Sequence, residues 1–272
     1  MTTVVTILGW LDLLGTVVLA GGVAYARFVA PLSRSGRRAT SLAALLLAVT
    51  LFLEFLATSV RLSGFVQDGA WSLFSKIMAT QWGRLWLLRC VGLAAVVAVP
   101  FGSHVQVILV ALWLLARSFQ GHAGAHGAVP AAIDWLHLSA ACAWMGSLLQ
   151  FVLSRPPNLA AVVERLRRIA TLSVAVLLPA GIFAVWLHVP TVTDLVSTPY
   201  GRVLLAKIAI ALSIFILAAR KHFVHVPAID RGSTTTIGSL HASVRVEVIG
   251  GALVLLLSAL LGALSMPAPT VH

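Results

Sequence analysis

The sequence predicts an all-α fold, a polytopic membrane bundle of eight transmembrane helices built as two parallel four-helix repeats. Three observations carry this expectation. Of the 272 residues, 60% are hydrophobic and 10% charged, with a mean hydropathy of +1.00, far above a soluble domain whose apolar share is nearer half. The apolar residues form continuous Leu/Val/Ala-rich runs, and crossing hydrocarbon as a helix takes about 20 such residues. Only helices or closed barrels satisfy every backbone group there. Finally, short motifs of the first half recur in the second.

The runs fall at 5–26, 40–60, 84–101, 104–121, 132–153, 170–189, 202–220 and 244–265. The first lacks Lys or Arg before Arg27, where a cleaved signal peptide would carry an early positive charge, so it is kept as a span. The link at 27–39 holds Arg27, Arg34, Arg37 and Arg38, that at 154–168 holds Arg155, Arg165, Arg167 and Arg168, and that at 220–245 holds Arg220, Lys221, Arg231 and Arg245. The positive-inside rule makes these cytoplasmic. Both termini and the links at 61–83, 122–131 and 190–201 then face outward. Within 61–83, Trp71, Phe74, Ile77 and Met78 follow helical spacing and predict an amphipathic helix in the interface. The formal charge of +11 is read as orienting the chain, with no nucleic-acid partner. Cys90 and Cys142 lie inside apolar runs, which argues against a disulfide framework.

The repeat rests on three matches. Val105-Gln106-Val107-Ile108 with Ala111-Leu112 recurs as Val246-Glu247-Val248-Ile249 with Ala252-Leu253; Trp10-Leu11-Asp12-Leu13 matches Trp135-Leu136-His137-Leu138; and Gly83-Arg84 matches Gly201-Arg202. The chain accordingly divides into a first repeat at 1–121, an outward histidine-containing link at 122–131 and a second repeat at 132–272. An even number of spans per half makes the halves parallel repeats, related by an axis along the membrane normal.

Ionisable groups inside spans are costly and usually face a cavity or a partner. Most of them gather in the outer third of the bundle: Asp12, Glu54, His137 and His188, beside His122 and His126 of the outer link. The stretch GHAGAHGAVPAAIDWLH alone holds His122, His126, Asp134 and His137. Imidazole binds Cu, Zn, Fe and Ni, and sulfur ligands select Cu(I). Gly121, Gly124, Gly127 and Pro130 predict a bent link able to wrap an ion. Cys142 points away from His137 on a regular helix and Met145 is turned by almost a quarter circle, so both read first as packing. Asp12 and Glu54 remain ligands, proton carriers or partners of Arg61 or Arg84. Glu247, beside Arg245, is an interfacial ion pair or an exit ligand.

The chain has no Walker loop, dinucleotide fingerprint, HExxH or GxSxG, so it is read as a non-enzyme. GHAGAH followed by DWLHLSAACAWMGSLL resembles the hallmark of the copper resistance D (CopD) family of membrane proteins, GHA and then D-x-x-H-L-x-A-A-x-x-W-x-G-G-L. RRIATLSVAVLLPAGIFAVW, TPYGRVLLAKIAIAL and SVRVEVIGGALVLLLSALLGALSMPAP are similar to that family's last three spans, so the resemblance covers about 120–268. It implies eight spans, an outer copper site, uptake or homeostasis of copper, and a periplasmic copper-binding partner. By it, His122 and His137 match the motif histidines, Trp144 and Gly146 the W-x-G, Pro199-Tyr200-Gly201-Arg202 the PYGR, and Glu247 the last-span acid. Ser147 replaces the second glycine, and His126 and His188 are extra to the motif.

The sequence thus predicts a multi-pass inner-membrane protein that takes a copper ion, Cu(I) or Cu(II), from the periplasmic side. Its expected ligands are His122, His126 and His137, supported by Asp12, Glu54, His188, Met145 and Glu247. The rivals are a haem- or quinone-linked electron-transfer protein, with His137 and His188 as axial ligands, and a membrane assembly factor without metal.

Overall fold

A computed structural model of the chain describes residues 2–63, 69–154, 156, 158–189, 191–224 and 235–264. Among the described residues every regular element is helical: α1 (Thr2–Phe28), α2 (Arg34–Ser63), α3 (Ala70–Ala79), α4 (Gln81–Ala98), α5 (His104–Gln120), α6 (His122–Ala125), α7 (Ala128–Ala141), α8 (Ser147–Leu153), α9 (Leu159–His188), α10 (Asp194–Ser197), α11 (Pro199–Val224) and α12 (Thr235–Ala263). A π-helical turn, Cys142–Gly146, joins α7 to α8 without a break.

Among the described residues six helices are long and apolar enough to cross a membrane: α1, α2, the continuous α7–α8 rod, α9, α11 and α12. The remaining two expected spans are α4 and α5, of 18 and 17 residues, at the short limit for crossing hydrocarbon. At their basic ends several helices overrun the apolar runs. Arg34, Arg37 and Arg38 stand on the first turns of α2, and Arg165, Arg167 and Arg168 on those of α9. Hydropathy marks only the part a membrane would cover, whereas hydrogen bonding carries the helix onward into water. At the start of α9 the Asn158 side chain accepts from the Ala161 N–H, a cap that satisfies an otherwise orphaned donor.

The expected amphipathic segment is α3. Ile77 is buried beneath it, while Trp71 is 79% exposed and stacks on Phe74 at 5.6 Å. The α3–α4 corner is tied by Thr80, whose hydroxyl donates to the Ile77 carbonyl and accepts from the Gly83 N–H.

Helix α1 is the hub, packing against α2, α5, α8, α12 and the π-turn. It approaches the π-turn through glycine on both sides. A Cβ on Gly21 would overlap the backbone of Gly146, and one on Gly146 that of Gly21. Such small residues let membrane helices meet backbone to backbone. Tryptophan ties further helices together, since four of the eight donate their indole N–H to a main-chain carbonyl of another helix. Trp10 bonds Ala252 at 3.1 Å, Trp86 Leu51 at 2.8 Å, Trp113 Arg89 at 3.0 Å and Trp135 Ala111 at 2.8 Å. The outer surface is itself apolar, with Leu42, Phe52, Leu172, Ile182, Trp186 and Ile216 all more than 60% exposed. A water-soluble monomer rarely shows so much, and lipid is the solvent that suits it.

Candidate functional site

A cavity of about 900 Å³ runs between the helices, and most of the ionisable residues of the spans line it: Asp12, Glu54, Arg89, Arg117, Asp134, His137, His188, Lys207 and Glu247. They form distinct groups.

The first is a charge cluster around Asp12 of α1. Oδ1 accepts from Arg89 Nη2 at 2.6 Å, and Oδ2 accepts from Arg117 Nε at 2.9 Å and Nη2 at 2.8 Å. Arg89 Nη1 also donates to Gln120 Oε1 at 2.6 Å and to Glu54 Oε2 at 3.3 Å. Two acids balance two arginines, and four helices are bound together. The pairing corrects the sequence-based partners, Arg61 and Arg84. Arg61 turns back onto its own helix, donating to the Ala57 carbonyl and to Thr58, and Arg84 lies on the exposed side of α4, whereas Arg89 is buried. Sequence reasoning passed over Arg89 and Arg117, although an arginine amid apolar residues was itself the signal.

The second group surrounds His137 of α7. Its Nδ1 is buried without a hydrogen-bond partner. Lys207 of α11 and Asp134, one turn earlier on α7, act on it electrostatically, and Gly181 of α9 faces the ring, where a Cβ would make an ordinary contact with Cε1 at 3.9 Å. Lys207 is a further residue the sequence reading did not single out. Met145 and Trp144 line the same cavity as His137. A regular helix would have turned Met145 aside, but a π-turn rotates each residue by less than an α-turn does, so it brings Met145 back toward the His137 face. There the Met145 thioether fills the notch over Gly251 of α12. Cys142, by contrast, belongs to the apolar core. Glu247 is fully buried and lines the cavity, whereas Arg245 beside it is exposed.

The third group is a histidine pair. The His126 and His188 rings meet edge to face with centroids 5.5 Å apart. His188 Nδ1 bonds the Ala184 carbonyl at 2.7 Å, which directs Nε2 away from its own helix. Gly127, at φ 110°, reverses the chain after α6 in a conformation that favours glycine. His122 opens α6, and its side chain lies outside the described residues. Among the described residues no three or more of His, Cys, Asp and Glu come together as a ready-made metal site. The His126/His188 pair, and His137 with Asp134 one turn away and Met145 on the wall of the same cavity, are the nearest to donor sets among the described residues, and imidazole with thioether suits copper.

The model of the family described as copper resistance protein D matches residues 160–261, which run from α9 to α12 and include Lys207 and Glu247. A curated relative, "Copper resistance protein D" of Pseudomonas syringae pv. tomato, is 30% identical, over 70% of this chain and 70% of its own length. The chain belongs to the copper resistance protein D family. Its role is therefore a copper-related one at a membrane. No solved structure matches this family member.

Proposed function

We propose that this copper resistance D family member binds a copper ion from the outer face of the inner membrane and passes it inward through the cavity. His126 and His188 form the entry pair, His122 is a further expected ligand, and His137 takes the ion next with Asp134 and Met145. Glu247 serves further along the cavity. On this reading all eight runs cross the membrane, α4 and α5 included, and a copper-binding protein on the outside supplies the ion. Asp12 and Glu54 act as structural partners of Arg89 and Arg117, because both oxygens of Asp12 are already held by arginines.

The observation that carries the proposal is the approach of His126 to His188, which lines the same cavity as His137, in a chain of this family. Two adjacent imidazoles offer two nitrogen ligands. The test is elemental analysis of protein purified from copper-replete cells. Copper near one per chain, reduced at least tenfold in an H126A/H188A variant and in H137A, is the expected result. Copper content indifferent to all three histidines would reject the site, and iron accompanied by a Soret band would replace it with haem chemistry on His137 and His188.

A further inference from the structure

The charge cluster of α1 and the His137 group become comparable once the sequence repeat is followed into the structure. The register that aligns Trp10 with Trp135 aligns Asp12 with His137 and Gly21 with Gly146. The one that aligns Gly83-Arg84 with Gly201-Arg202 aligns Thr80 with Thr198 and Arg89 with Lys207. The contacts follow these registers. Trp10 donates to Ala252 and Trp135 to Ala111, and Ala111 and Ala252 are themselves repeat mates. Gly21 and Gly146 meet each other. The Thr80 hydroxyl accepts from Gly83 N–H at 3.0 Å, and that of Thr198 accepts from Gly201 N–H at 2.9 Å.

What differs is the chemistry at the matched positions. In the first half Arg89 is locked, with its guanidinium on Asp12, Glu54 and Gln120. In the second half Lys207 lines the cavity and has no ion pair within 4.0 Å among the described residues; the acid acting on it is Asp134. The matched acid has become His137, an imidazole with a bare Nδ1. A guanidinium forks onto carboxylates and stays, whereas an ammonium is a point charge on a flexible stem that can swing.

We propose that Lys207 is a resident cation of the His137 site: it supplies positive charge near Asp134 and His137 when copper is absent and must swing away when copper arrives. This rests on the copper reading above and adds to it a residue that weakens binding on purpose. A site that also releases its ion gains from a tethered competitor, because the competitor refills the position as the ion leaves.

The test measures Cu(I) affinity of the full chain in lipid nanodiscs by competition with a Cu(I)-specific chelator. K207M and K207Q should bind copper at least tenfold more tightly than wild type, and K207R no more tightly. Equal affinity in wild type, K207M and K207Q, or weaker binding in the two neutral variants, overturns the role of Lys207 while leaving the copper site standing. If neither wild type nor the variants bind copper, the copper reading fails and this inference fails with it. Should K207M not fold, D134N/K207M, whose charges again balance, is compared with D134N; tighter binding in the double variant supports the competitor and equal binding rejects it.

Discussion

Asp12 shows how a single residue is half legible. Its position inside an apolar run marks it as partnered, but the partners lie 77 and 105 residues away on α4 and α5, a separation that no local spacing reveals. Removing one member strands the others in a poorly solvated interior. R89M should therefore cost about 3–5 kcal/mol, read as a fall in unfolding temperature in detergent, and the charge-balanced D12N/R89M should recover much of it. An R89M protein as stable as wild type would mean that the cluster is not holding the bundle. At the proposed copper site, His126 and His188 were each visible in the sequence as polar residues expected near one membrane surface, yet their meeting depends on where the end of α9 stands relative to the end of α6. If they act as one pair, H126A and H188A should each lower copper affinity, and the double variant should lose little beyond the worse single variant, as equilibrium competition would read.

Among elements, the long helices were legible because hydropathy and length report burial in lipid directly. The π-turn was not. Nothing in CAWMG announces an i→i+5 turn, and without it the helical wheel turns Met145 away from His137. At the end of the turn Gly146 lets α1 approach at Gly21. A methyl group there meets backbone, which cannot swing aside as a side chain would. G146A and G21A should each destabilise the protein by about 1–3 kcal/mol, and G146A should also lower copper affinity by shifting Met145. Thermal unfolding and chelator competition check the two effects separately, and wild-type values in both would show the contact to be slack. The α3 helix lay at the other extreme, readable from four apolar residues because one face of a short helix suffices to bury Ile77.

For the whole molecule, charge in the links predicts a topology. In a chain whose cysteines, Cys90 and Cys142, are half-buried and buried, a membrane-impermeant maleimide should label A125C in intact cells and S35C only after the membrane is opened. The reverse pattern would place the histidine pair on the cytoplasmic side and turn the proposed direction of copper movement around. The basic ends carried this expectation, whereas the cavity and the lysine on its wall needed the assembled bundle, since they arise from helices distant in sequence. The Asp12 cluster also sets a timetable for biogenesis. At roughly 5–20 residues per second, Arg89 is synthesised about 4–15 s after Asp12, and Arg117 later still. Through that interval the ribosome has released a first helix whose carboxylate has neither arginine, so headgroups or water must hold it, and α1 reaches its final depth only when the fifth helix arrives.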